Sequence, residues 1–109
     1  MRDLKLPPQV RAGIDAAVGM LLEEFGVNVR RVVLFGSYAK NTYQPDSDVD
    51  LAVVLEDLPD PRHLMLYKQS LELDHMEIDL LFCSREQLAS NKFVYRWINE
   101  QGVTVYEQL

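Results

Sequence analysis

The sequence predicts an α+β fold, a small mixed β-sheet flanked by helices, on three observations. An apolar stripe at three- and four-residue spacing fills the first part of the chain. Short apolar runs, rich in β-branched residues, recur at "RVVLF", "DVDLAVVLE", "EIDLLF" and "VTVYE". The link from Phe35 to Asp48 is hardly long enough for a parallel crossover, so the first two strands are expected to be antiparallel.

Each element has its own local reason. Pro8 suits the first turn of a helix, where its missing N–H costs nothing. Val10, Ile14, Ala17, Val18, Leu21 and Leu22 then form one apolar face, and Gly26 is the expected C-cap. Residues 31–35 read as a buried strand, followed by Gly36-Ser37, a short polar segment and a second strand through "DVDLAVVLE". Pro59 and Pro61 mark a loop, and Leu64, Tyr67 and Leu71 predict a helix over 62–72. "EIDLLF", 77–82, is a third strand. Ser84 with Gln87 forms a capping-box pattern at a new helix start. Phe93, Val94, Trp97 and Ile98 give a further helical stripe, and Gly102 turns the chain into a last strand, 103–107.

Length and composition limit the possibilities. The 109 residues suffice for one domain, 1–109, with a real core. The net charge of −6 argues against sequence-independent binding of DNA or RNA, which draws on Lys and Arg. No run has the length of a membrane span, and the N-terminal residues lack the apolar core of a secretory signal. One cysteine, Cys83, fits a reducing, cytoplasmic setting.

The acids are where the chemistry concentrates. Alternation along a strand puts Asp48 and Asp50 on one face and Val49, Leu51 and Val53 on the other. Two close carboxylates repel unless one is protonated or a cation lies between them, and Mg²⁺ suits an all-oxygen site that also holds phosphates. Asp79 leaves the core face of the third strand, with Glu77 on the same side. Three acids on adjacent strands could hold two metal ions for an in-line displacement at phosphorus. Gly36-Ser37 supplies the complement, a strand end where the backbone can approach a phosphate and a hydroxyl can bind it.

The segment "GSYAKNTYQPDSDVDL" resembles the signature of the nucleotidyltransferase superfamily that includes DNA polymerase beta. In its minimal members the signature is Gly-Ser, ten residues, then Asp-x-Asp, as at Gly36, Ser37, Asp48 and Asp50 here. The resemblance implies the polymerase beta palm-like fold, with triphosphate held at Gly36 and Ser37. It implies Mg²⁺ at Asp48, Asp50 and Asp79, the last also activating an acceptor hydroxyl. ATP is the donor it implies, with AMP the group transferred. Where the family often has Ala-Arg-Gly, this chain has Ala39-Lys40-Asn41. Lys40 keeps the charge without the planar fork of Arg, and Asn41 can take the left-handed conformation that Gly would give.

Such lone catalytic domains resemble the MntA-type antitoxins of type VII toxin–antitoxin pairs. The resemblance implies a helical HEPN-type toxin as partner, with AMP transferred to a toxin tyrosine. The acceptor surface would come from that partner or from a second copy of this chain. Two rival functions stand beside it, a module that neutralises its partner by contact alone and an enzyme that modifies a small molecule such as an antibiotic.

Blander readings also apply to individual residues. Asp48 and Asp50 alone could be charges that blunt a strand edge, a reading that Gly36-Ser37 and Asp79 weigh against. Glu77 reads as a solvated strand-start residue, His63 and His75 as surface residues, and Cys83 as a small buried side chain. Lys40 is either a phosphate ligand or a solvated loop lysine. Lys68 is given no role. Trp97 with Phe93 reads as core in preference to a base-stacking platform. Tyr38 and Tyr43 either contact the nucleotide or cover the loop.

Overall fold

Helix α1, Pro8–Phe25, starts where expected, with Pro7 at its N-cap and Pro8 in its first turn. Val10, Ile14, Ala17 and Leu21 are buried along one side. Gly26 ends the helix at φ 56°, where its N–H donates to the carbonyl of Leu22. The computed structural model describes residues 5–58, 71–73, 76–90 and 93–108.

A short 3₁₀ turn, Gly26–Asn28, leads into β1, Val29–Phe35. One turn of helix, α2, Ser37–Lys40, follows, and the chain reverses into β2, Val49–Leu55. Next come β3, Leu71–Leu73, and β4, Met76–Ser84. The short α3, Arg85–Leu88, then α4, Phe93–Gln101, and β5, Val103–Glu107, complete the described elements.

The five strands form one sheet in the order β3-β4-β2-β1-β5. β1 runs antiparallel to β2 and β5, β3 antiparallel to β4, and β2 parallel to β4. The sheet is therefore mixed and its first two strands antiparallel, as the short Phe35–Asp48 link requires.

The two faces of the sheet bury different residues. On the α1 face, Leu34, Leu51, Val53, Ile78 and Phe82 pack with Ile14, Ala17 and Leu21. Phe82 also meets Phe25, with ring centres 5.6 Å apart. The opposite face buries Val33, Ala52, Val54 and Cys83 under Leu88 of α3 and Ile98 of α4. Period-two alternation thus sends Asp50 and Asp79 to the face that α3 and α4 cover only in part.

Some expectations need correction. The predicted helix over 62–72 lies mostly outside the described residues, as do Pro59, Pro61, His63, Lys68 and His75. Its last two positions, however, belong to β3, which pairs Leu71 with Ile78 and Leu73 with Met76. Leu71-Glu72-Leu73 has the alternation of a strand, and a hairpin with β4 satisfies that backbone in place of helical bonds. Phe93, expected in the core, is 83% exposed, because α4 turns Ile98 to the sheet and Phe93, its first residue, away from it.

The capping box is as expected. Gln87 N–H donates to Ser84 Oγ and Ser84 N–H to Gln87 Oε1, each at 3.0 Å. Among the described residues no helix is long and apolar enough to cross a membrane.

Candidate active site

Sheet register brings the acids together. Asp50 is the lateral neighbour of Asp79 in the parallel β2–β4 ladder, and Val49 of Ile78. One step earlier, Asp48 and Glu77 enter the two strands side by side. Carboxylate oxygens of Asp48, Glu77 and Asp79 lie within 4.8 Å of one another. Glu77, read from sequence as a solvated strand-start residue, is exposed but belongs to this cluster.

Asp50 shares the sheet face of Asp79 but lies outside that group of three, toward the Gly36 turn. It is half-buried, and its carboxylate lies against Gly36, which pairs through Phe35 with the same rung of the β1–β2 ladder. A Cβ at Gly36 would strike that carboxylate, and Gly36 adopts φ 78°, so glycine is needed here for two reasons.

The electrostatics follow from this crowding. Burial first, then the charges of Asp79 and Asp48, push the Asp50 carboxyl up to about 6. Asp48 is also raised, chiefly by hydrogen bonding with Glu77, then by burial and by the charges of Glu77, Asp79 and Asp46. A set of hard oxygen donors held together against their own repulsion fits Mg²⁺, because a cation relieves the strain that protonation otherwise relieves.

The Gly-Ser turn faces this cluster. Gly36 caps α2, whose first helical bond runs from Lys40 N–H to the Gly36 carbonyl at 3.2 Å, so Ser37 and Tyr38 precede it. Asn41 closes the turn in the left-handed region, φ 62°, ψ 33°, the conformation anticipated for it. Thr42 N–H then donates to the Ser37 carbonyl at 2.9 Å, and the Ser47 hydroxyl accepts from Gln44 N–H at 2.7 Å. These bonds fix the loop that returns the chain to Asp48.

The two tyrosines cover this loop. Tyr38 is buried in the α1-side core and stacks on Tyr43, ring centres 4.4 Å apart and 18° from parallel. Burial, with the Tyr43, Asp46 and Asp48 charges behind it, raises the Tyr38 phenol.

Sequence reasoning missed the role of Trp97. Its half-buried ring meets Phe35 edge-on at 6.2 Å, its indole N–H donates to Gln101, and Lys40 Nζ sits over it at 4.4 Å. Helical spacing marks Trp97 as inward-facing, but nothing local in the sequence pairs it with a lysine 57 positions earlier. Lys40 is thus held beside the Gly-Ser turn by an aromatic ring.

A mixed sheet that sets strand carboxylates opposite a Gly-Ser turn defines a class of nucleotide-processing proteins. The pattern of the nucleotidyltransferase domain family matches residues 15–100, and the chain belongs to that family.

Among solved structures it is similar to a putative nucleotidyltransferase from Sulfolobus solfataricus. The TM-score is 0.67 at 17% identity, over 92% of this chain and 82% of that one. It is also similar to a toxin–antitoxin structure with AMP-PNP, with TM-score 0.56 and 22% identity over 86% of this chain and 73% of that one. A mutant of the toxin–antitoxin MntA-HpeT gives TM-score 0.55 at 18% identity, with the same two shares of 86% and 73%. At these identities the likeness is one of fold. No curated protein matches the sequence significantly.

Proposed function

We propose that the chain transfers a nucleoside monophosphate, AMP from ATP, to a hydroxyl on a partner protein, a tyrosine of a HEPN-type toxin, and acts as its antitoxin. One observation carries the reading, the convergence of Asp48, Asp79 and Glu77 at one end of the sheet with Asp50 packed against the Gly36 turn. Family membership supports the reaction class. The fold likeness to toxin–antitoxin structures, one of them with AMP-PNP, supports the nucleotide and the kind of partner.

In this reading Gly36 lets the backbone approach the phosphates, the Ser37 hydroxyl donates to them, and Lys40 adds a positive charge held by Trp97. Asp48, Asp50 and Asp79 would hold Mg²⁺, with Glu77 beside them. The bound metal supplies charge neutralisation on the phosphates. The acceptor hydroxyl attacks the α-phosphorus and its proton passes to Asp79. The new O–P bond forms as the bond to pyrophosphate breaks. The protein's contribution is position and electrostatics, most of what transfer at phosphorus requires.

The test is incubation with Mg²⁺, ATP labelled in the α-phosphate and the candidate toxin, beside a variant carrying Asp48→Asn and Asp50→Asn. Label on a toxin tyrosine that disappears with the variant is the expected result. No label with ATP or any other nucleoside triphosphate would sink the enzyme reading. A stable complex that forms and inhibits equally with the variant would point to neutralisation by contact.

A further inference from the structure

The end of the sheet away from the carboxylates carries a cavity of about 400 Å³. Arg30, Arg31 and Arg85 line it with Gln108 and one acid, Glu107, and Val54 and Leu88 give it an apolar wall. Val54 is four residues beyond Asp50 on β2, a separation of roughly 13 Å along the strand. Three of the chain's eleven Lys and Arg therefore gather in one concave place, in a protein of net charge −6.

Backbone geometry contributes to this gathering. Consecutive residues of a strand normally point to opposite faces. The β1–β2 register shifts between Val29 and Arg31, and at this irregularity the adjacent Arg30 and Arg31 line the same cavity. Bulges re-aim side chains in this way.

The neighbouring acids do not saturate the arginines. Glu56 lies 3.6 Å from Arg30 Nε and 3.0 Å from Arg85 Nη1, while Glu107 lies 3.8 Å from Arg31 Nε. Among the described residues, three guanidinium groups stand against two carboxylates and leave one positive charge. Arg31 Nη2 donates to Thr104 Oγ1 at 2.9 Å. Its Nε is buried with no hydrogen-bond acceptor among the described residues, since Glu107 is within ion-pair range but beyond hydrogen-bond length. A purely structural ion-pair network at a surface needs no cavity.

The geometry points to a second ligand site here, for a small phosphate-bearing molecule the size of a nucleoside monophosphate. Guanidinium forks match phosphate oxygens in pairs. The apolar wall suits the flat body of such a ligand, and the volume lies within the usual roughly 300–1,000 Å³ of small-molecule pockets. The site is separate from the carboxylate cluster and does not depend on the transferase reading.

The test is a titration of ¹⁵N-labelled protein in EDTA, so that no metal recruits phosphate to the carboxylates. Inorganic phosphate and AMP are the two probes, and the Nε–H signals of Arg31 and Arg85 are followed beside the amides of Leu88, Gly36 and Ser37. Saturable shifts at Arg31, Arg85 and Leu88 are expected, with AMP binding several-fold tighter than phosphate. Arg85→Gln, at a side chain 58% exposed, should weaken AMP about tenfold, the scale of one lost charged hydrogen bond. Arg31→Lys should weaken it too, by removing the fork while keeping the charge.

Absence of saturable shifts, or shifts confined to Gly36 and Ser37, overturns the proposal. Equal affinity for phosphate and AMP overturns the nucleotide-sized assignment, and an Arg85→Gln variant that binds AMP unchanged overturns the site.

Discussion

Lys40 Nζ lies 4.4 Å from the centre of the Trp97 ring, which joins the loop after Gly36-Ser37 to helix α4. An unanchored lysine on a one-turn helix would sample many rotamers, and the indole face restricts it at the edge of the site. A partly exposed cation–π contact contributes about 0.5–1 kcal/mol, a factor of roughly two to five in binding. Trp97→Leu should therefore raise KM for the nucleotide by about that factor with kcat little changed. Trp97→Phe should retain most of the affinity. Steady-state kinetics with both variants checks this, and an unchanged KM in Trp97→Leu would mean that Lys40 does not act through the ring.

Cys83 is fully buried between the sheet and the α3–α4 layer, and burial pushes its thiol up to about 11 despite the opposing charge of Arg31. At pH 8 the thiolate is then about one part in a thousand, and solvent does not reach it. The native protein should not react with a thiol reagent over the time in which the denatured chain reacts fully. Rapid stoichiometric labelling of folded protein would contradict this placement.

The alternation of Val49, Leu51 and Val53 against Asp50 was legible in the sequence because one buried face fixes strand register. The short Phe35–Asp48 link gave the antiparallel pairing, and Gly36-Ser37 with Asp48, Asp50 and Asp79 could be singled out by spacing. Glu77 was undervalued, since only the parallel β2–β4 register places it beside Asp48. Trp97 and the arginine cavity depend on contacts between distant segments and on a shift in strand register, neither of which has a local signature. β3 was missed because three residues carry too little periodicity to compete with the apolar spacing before them.

The turn itself makes two opposite predictions. Gly36→Ala combines a positive φ with a methyl group directed at the Asp50 carboxylate, and should cost about 1–3 kcal/mol together with most of the activity. Asn41 already occupies the left-handed region, so Asn41→Gly should leave stability unchanged or raise it by up to about 1 kcal/mol. Asn41→Val should lower it by a similar amount. Chemical denaturation of the three variants, with the slope against denaturant held equal, provides the comparison.

The carboxylate cluster should make metal-free protein less stable at neutral pH than in mild acid. Asp50 is raised in the folded state from 3.8 to about 6, so between these values the native protein binds more protons than the unfolded chain. The resulting stabilisation is complete below about pH 4 and is lost as pH rises through about 6. With half of the group open to solvent, the effect is discounted to about 1 kcal/mol, or a few degrees in Tm. Asp50→Asn should recover that amount at pH 7.5 in EDTA while losing activity. Mg²⁺ should raise the Tm of the wild-type protein at pH 7.5 and have little effect on the variant carrying Asp48→Asn and Asp50→Asn. Thermal melts at pH 4.5, 6 and 7.5, with EDTA and then with Mg²⁺, separate these contributions. A wild-type Tm that ignores Mg²⁺ at pH 7.5 would remove the carboxylates from the metal site, whereas a gain restricted to the wild type ties the cation to Asp48 and Asp50.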